Sequence, residues 1–382
     1  MYYFDNAATT FPKPESVYQQ MDSFYRGYGV NIGRGQFKEA SVAYKLAEET
    51  RKLLLDLFRA NSLYSCIFSP SATIAMNVIL NGISWKPGMN VYITPFEHNA
   101  ILRTLHHLSK EYGIKVIRLM PDKDTWEYDF EDIRSQFRQA PPAALILTHA
   151  SNSFGFIKPV ESMFGLAKEF GAITVCDMAQ TAGLININIV EANIDFAVFA
   201  GHKTLYGPFG IAGFITSKAN ILKPFIYGGT GFDSSNLDMP LELPIRYEAG
   251  SQNIQAIAGL NAALNWVNET SIEKIRKRER EITKHLLQII RSHYNINIVR
   301  CPDEEKNIGI VSCIFDGYSS DNIGQVLSDN DIAVRTGLHC SPESHSFLGT
   351  APNGTVRFSV SYFTSDIDFE ALDYALEYIE MS

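Results

Sequence analysis

The chain has 382 residues, and Lys+Arg 33 against Asp+Glu 42 leaves a formal charge of −9. At roughly 150 residues per domain this length implies two or three lobes, with cores that need neither disulfides nor metals. A composition 46% hydrophobic, 12% aromatic and 20% charged excludes a disordered or fibrous chain, and the acidic balance argues against nucleic acid or an anionic membrane as partner.

The start, Met1-Tyr2-Tyr3-Phe4-Asp5-Asn6, lacks the basic and apolar segments of a secretory signal. No apolar run approaches the roughly 18 residues of a membrane helix, so a cytoplasmic protein is expected. From about residue 65, short β-rich runs alternate with helical patterns. Ser65 to Phe68 reads as a strand, Ala72 to Gly82 as a helix, Asn90 to Thr94 as a strand and Glu97 to Tyr112 as a helix. Lys115 to Leu119, Phe130 to Gln139, Ala143 to Thr148, Pro159 to Phe170 and Ile173 to Asp177 continue the alternation. This rhythm predicts an α/β fold with a mostly parallel sheet covered on both faces and ligands at the carboxyl ends of its strands. Asp195 to Ala200 and Ile211 to Thr216 add strands on either side of Gly201-His202-Lys203.

After a helix from Ala256 to Val267, the charged Glu273 to Glu281 segment reads as a solvated helix. Ile308 to Phe315, Ala333 to Arg335 and Thr355 to Val360 follow as strands, with helices near Ser320 to Asp329 and Phe369 to Glu380. Together they predict a smaller α+β lobe. The five cysteines are widely spaced without a C-x-x-C pair, which fits reduced thiols and no zinc site. Cys66, Cys176 and Cys313 fall in strands and are expected in the core, while Cys301 has no assigned role.

Asp177 closes an apolar strand, where a carboxylate is costly to desolvate unless it meets a cation. Lys203, 26 positions later, sits in the turn after another buried strand. A loop lysine alone is most simply a solvated surface residue, but a protonated pyridine nitrogen is such a cation for Asp177. Pyridoxal phosphate needs a lysine to hold it, a carboxylate for that nitrogen, a stacked ring and an anion pocket. Ser69-Pro70-Ser71-Ala72-Thr73, between a strand and a helix, suits the phosphate as well as it suits a plain N-cap. His98, after the next strand, suits either ring stacking or a structural role.

These residues belong to ordered blocks that run nearly end to end: Asp5 to Thr10, Glu97-His98, Ser151 to Gly155, Asp177 to Gln180, Gly201 to Lys203, Arg246 to Asn253, Arg335 to Cys340 and Thr355 to Ser359. Together they resemble the cysteine desulfurases of the class V aminotransferase family, among the fold-type-I pyridoxal phosphate enzymes. The resemblance implies a large cofactor domain over residues 14–262 with a seven-stranded sheet, and a small domain formed by 1–13 and 263–382. It implies pyridoxal 5'-phosphate as cofactor, L-cysteine or L-selenocysteine as substrate, a homodimer, and a small sulfur-acceptor protein serving iron–sulfur cluster assembly or another sulfur-containing product.

Residue by residue, it implies that Lys203 holds the cofactor, Asp177 meets the pyridinium nitrogen, Gln180 and Asn152 address the ring oxygen, and His98 stacks on the ring. Ser71, Ala72, Thr73 and His202 would hold the phosphate, with Ser251 reaching across from the second subunit. Arg357 would clamp the substrate carboxylate beside Asn6, Ala8 and Arg335, with Arg34 from the partner chain. Cys340 would be the thiolate on a mobile loop that takes the substrate sulfur as a persulfide. Only 17 positions separate Cys340 from Arg357, resembling the short-loop SUF-type branch, in which a persulfide of restricted reach is handed to an acceptor protein.

Ala200 stands where such enzymes usually place a hydroxyl residue, so one phosphate hydrogen bond is expected to be missing, and Gly33 replaces a common histidine. The run Cys340 to His345 followed by Gly349-Thr350 resembles a desulfurase-like subgroup. Selenocysteine lyase, C–S lyase and other class V reactions remain open from the residues alone. A nicotinamide site is disfavoured because Gly228-Gly229-Thr230-Gly231 does not make G-x-G-x-x-G and follows no first strand.

Overall fold

The structure, a computed structural model, describes residues 1–32, 37–231 and 235–381. Its elements in chain order are β1 (Tyr2–Tyr3), α1 (Glu15–Tyr28), α2 (Lys38–Leu57), β2 (Ser65–Ser69), α3 (Ala72–Gly82), β3 (Asn90–Ile93), α4 (Asn99–Tyr112), β4 (Lys115–Arg118) and α5 (Phe130–Gln139). Then come β5 (Pro142–Thr148), α6 (Val160–Glu169), β6 (Ile173–Asp177), β7 (Phe196–Ala200), β8 (Ala212–Thr216), α7 (Ile254–Thr270) and α8 (Ile272–Ser292). The chain closes with β9 (Ile296–Val299), β10 (Ile310–Phe315), α9 (Ser320–Asp329), β11 (Ile332–Ala333), β12 (Arg335–Gly337), α10 (Pro342–Leu348), β13 (Thr355–Ser359) and α11 (Asp366–Glu380).

Seven strands form one sheet in the order β2-β8-β7-β6-β5-β3-β4, parallel except for β8, which runs against both neighbours. Side chains alternate across this sheet, so Leu145 and Leu147 of β5 pack with α2, α5, α6 and α7 while Ala144 and Ile146 pack with α3 and α4. Burial on both faces explains why β5 and β7 read as continuous apolar runs rather than alternating ones. A second, antiparallel sheet, β12-β13-β10-β9, rests on α8, α9 and α11 around a separate core that includes Val311, Phe358, Leu372 and Leu376. β1 pairs in parallel with β11, so the first residues of the chain lie beside this smaller sheet.

Three expectations shift. α4 begins at Asn99 rather than Glu97, because His98 caps it: its Nδ1 accepts the Ala100 amide at 3.0 Å. The Glu273 to Glu281 segment lies within α8, yet Ile275, Glu279 and Ile282 are buried, so only one face is solvated. The strand expected over Ala333 to Arg335 divides at Val334 into β11 and β12, which belong to different sheets. No helix among the described residues is long and apolar enough to cross a membrane, and no group of three or more metal-ligating side chains occurs among them.

Candidate active site

The parallel strands β5, β6 and β7 end side by side at Thr148, Asp177 and Ala200, and a cavity of about 200 Å³ opens there. Ser71, Ala72, Thr73, His98, Asn152, Asp177, Gln180, His202 and Lys203 all line it. The turn that carries Lys203 needs a glycine before it: a Cβ on Gly201 would lie 2.6 Å from the Ile211 carbonyl. The N-terminal segment fastens this turn, since Lys13 Nζ, Thr9 Oγ1 and the Thr10 amide donate to the His202 carbonyl at 2.7, 3.0 and 3.0 Å. Thr10 Oγ1 donates to the Lys203 carbonyl at 2.8 Å.

Burial pulls the Lys203 ammonium down to about 8, with Asp177 opposing that shift. Burial also raises Asp177, against the Ala179 amide that donates to its Oδ1 at 3.0 Å. His98 is pushed down to about 3 by burial, with the neighbouring cations Lys203 and Arg335 adding to it. Its imidazole is therefore neutral near pH 7, and because Nδ1 accepts an amide hydrogen the ring proton sits on Nε2. Gln180 Nε2 donates to the Ala7 carbonyl at 2.8 Å, and Asn152 Nδ2 to the His339 carbonyl at 2.6 Å.

At the other end of the cavity the helix α3 points its N-terminus inward. Ser71 caps it by accepting the Ile74 amide at 3.2 Å, which leaves the first-turn amides beside Ala72 and Thr73 for an anion. The His202 ring stacks on Phe209 at 4.6 Å and is held near 3 by burial. Ala200 lines the cavity with no hydroxyl to offer.

Cys340 sits at the rim. Its Sγ accepts a hydrogen bond from Arg335 NH2 at 3.2 Å, and its carbonyl accepts the Asn99 amide, next to His98, at 2.8 Å. His339 and Cys340 both adopt positive φ, 46° and 60°, a strained pair for non-glycine residues that turns the chain sharply out of β12. The segment that follows is bonded on both sides. Ser341 Oγ donates to the Glu97 carbonyl at 3.0 Å, and Arg118 pairs with Glu343 of α10 at 2.6 Å. Beneath it, Ser312 donates to the Ser153 carbonyl and Thr355 to Ser312, so Thr355 Oγ1 accepts from His339 Nε2 at 2.9 Å.

Arg357 is fully buried; NH1 donates to the Asn152 carbonyl at 2.8 Å and NH2 to Asp5 at 2.5 Å, while Nε has no partner among the described residues. Asn6 holds the Ser359 carbonyl at 2.9 Å and Ala8 lies in the same N-terminal turn. Ser251 is elsewhere in this chain: it accepts from Asn31 at 3.1 Å and lines a separate cavity of about 530 Å³. Arg34 and Gly33 lie outside the described residues. Sequence reasoning missed Asp5 as the partner of Arg357, Lys13 behind His202, and a buried pair formed by Glu97 and Lys158. Lys158 carried a signal, since it interrupts the apolar run Phe154-Gly155-Phe156-Ile157 before Pro159.

The family model described as Aminotransferase class-V matches residues 2–372. A probable cysteine desulfurase from Pyrococcus abyssi is 31% identical over 98% of this chain and 93% of its own length. A cysteine desulfurase from Haloferax volcanii is 28% identical over 98% of this chain and 89% of its own. Among solved structures, the apo cysteine desulfurase from Thermococcus onnurineus superposes with a TM-score of 0.89 at 28% identity, covering 99% of this chain and 94% of that one. The S-sulfonic acid form of the Escherichia coli cysteine desulfurase CsdA gives 0.84 at 25%, covering 98% and 94%. Pyridoxal 5'-phosphate fits the donor set here, because Asn152 Oδ1 and His202 Nδ1 are buried without partners among the described residues and belong to residues that line a cavity with one amine, one carboxylate and a helix N-terminus. The chain belongs to the aminotransferase class-V family and is a pyridoxal-phosphate enzyme.

Proposed function

We propose that this protein is a cysteine desulfurase that converts L-cysteine to L-alanine and captures the sulfur as a persulfide on Cys340. The observation that carries the reading is the Arg335 hydrogen bond to Cys340 Sγ at the rim of the Lys203–Asp177–His98 cavity. That bond holds the sulfur at the mouth of the cavity, where a thiolate nucleophile is what such a transfer needs.

When bound, pyridoxal 5'-phosphate supplies an electron sink that weakens the Cβ–S bond of the substrate. In this reading Lys203 holds the cofactor and, with its amine near 8, exchanges protons readily close to neutral pH. Asp177 meets the ring nitrogen, and the neutral His98 covers the ring face with Nε2–H. Asn152 and Gln180 address the ring oxygen. The first turn of α3 with Ser71, Ala72, Thr73 and His202 receives the phosphate. The substrate carboxylate takes the unpartnered Nε of buried Arg357, beside Arg335, Asn6 and Ala8. Cys340 then attacks the substrate sulfur: an S–S bond forms, the Cβ–S bond breaks with its electron pair on Cβ, and Cβ takes up a proton to become the methyl of alanine. L-selenocysteine would react by the same attack on selenium.

The fastening of the Cys340 segment supports transfer to a docked acceptor protein rather than delivery on a swinging loop. Iron–sulfur cluster assembly is the use we propose for that sulfur, in the cytoplasm, by a homodimer whose Ser251, and Arg34 beyond the described residues, complete the neighbouring site. The test is product analysis with the cofactor and L-cysteine, with and without a reducing thiol. Wild type should form alanine stoichiometrically without thiol and catalytically with it, and Cys340→Ala should form none. Pyruvate from wild type, or alanine from the variant, would overturn the reading.

A further inference from the structure

Behind the cofactor cavity lies an ion pair that the chemistry above leaves unused. Glu97 and Lys158 are both fully buried, with Nζ 3.4 Å from Oε1. Both oxygens of Glu97 already receive donors: Oε1 accepts Thr94 Oγ1 at 2.5 Å and the Thr94 amide at 3.3 Å, and Oε2 accepts the Thr148 amide at 2.5 Å. Two backbone amides and one hydroxyl thus converge on its carboxyl group. Among the described residues Lys158 Nζ has no well-aligned hydrogen-bond partner, and it stands 5.8 Å over the Phe96 ring; burial pushes the ammonium down and Glu97 holds it up. A lysine in that position is costly to bury unless its charge is needed.

The pair is tied to the strand end that carries Asp177. Thr148, which donates to Glu97, is the register partner of Asp177 on the adjacent strand. The Lys158 amide donates to the His149 carbonyl at 2.9 Å, and the His149 amide donates to the Asp177 carbonyl at 2.8 Å. Two buried acidic side chains therefore flank one strand junction, with the buried Lys158 against one of them.

We propose that Lys158 is a positioning residue for the cofactor: it cancels the Glu97 charge behind the cavity, so that Asp177 stays a carboxylate toward the ring nitrogen. The coupling has the required signs, since Glu97 pushes Asp177 up and Lys158 pulls it down, with burial the largest influence on it. The inference rests on the cofactor-binding role of Asp177 and is independent of whether the reaction is desulfuration.

The sign of each charge makes the test. Apoprotein from full-length wild type, Lys158→Met, Glu97→Gln and the double variant is titrated with pyridoxal 5'-phosphate, reading cofactor affinity and absorption spectrum. Lys158→Met should bind roughly tenfold more weakly, because removing one partner of a buried pair leaves the other uncompensated beside the cavity. Glu97→Gln should bind at least as tightly as wild type, and the double variant should return to within about threefold of it. Weakening in both single variants without recovery in the double would show a merely structural pair and overturn the proposal, as would an unchanged Lys158→Met. If Lys158→Met does not fold, Glu97→Gln and the double variant still decide: loss of affinity in either one refutes the charge balance, and retention in both supports it. A desulfurase test that fails while these affinities behave as stated removes the reaction and leaves this inference standing.

Discussion

Arg335 and Cys340 are five residues apart, yet the strained turn between them brings guanidinium and sulfur to 3.2 Å. That bond fixes where the sulfur stands at the rim, so Arg335→Met should slow alanine formation from L-cysteine by roughly tenfold or more. Arg335→Lys should recover part of that loss, and an unchanged rate in the Met variant would remove Arg335 from the account. Lys203 gives a pH-dependent stability. Below about 8 folded and unfolded apoprotein both carry its proton, and above 10.5 neither does. Between those values only the unfolded chain is protonated there, so stability rises with pH. The Tm of wild-type apoprotein relative to Lys203→Met should therefore climb by a few degrees over this window, and a flat or falling difference would contradict the burial of the amine.

The segment from β12 to α10 shows how far the sequence reaches at the scale of elements. The βαβ rhythm was legible because strands buried on both faces are apolar runs that glycine and polar turns separate, and Asp177 and Lys203 stood out at the ends of such runs. β1, β9 and α10 were not legible, since pieces of 2, 4 and 7 residues owe their shape to the partners they meet rather than to a period. The Glu97–Lys158 pair was missed for a related reason: charge reads as exposure in a sequence, and only packing reveals the exception. The same packing makes Ser341 a hinge pin for Cys340, bonding the Glu97 carbonyl and accepting Ser344 Oγ at 2.9 Å. Ser341→Ala should cost about 1–2 kcal/mol and speed amide hydrogen exchange over residues 338–345 by roughly tenfold, with cofactor affinity unchanged. Unaltered exchange there would mean that α10 alone holds the segment.

At the scale of the whole molecule, apolar side chains stand in solvent: Phe209, which stacks on His202, is 64% exposed, and Tyr227 and Leu241, which line a separate cavity, are 70% and 80% exposed. A second copy would cover them and carry its Ser251 toward this site, so light scattering should give about twice 42.8 kDa. Leu241→Arg should shift that value toward the monomer and weaken cofactor binding together, and a monomeric wild type would end the homodimer proposal. The grip of the first thirteen residues has a further consequence, for biosynthesis. Their partners are the Lys203 turn in mid-chain and Ile332, Arg357 and Ser359 near its far end, with Asn6 and Ser359 some 353 positions apart. On the ribosome, this segment must wait for a strand made 353 positions later, and contacts so distant along the chain form late. A nascent chain can complete β2 to β8 and the Lys203 turn well before Arg357 exists, so the cofactor end of the site takes shape before its substrate end.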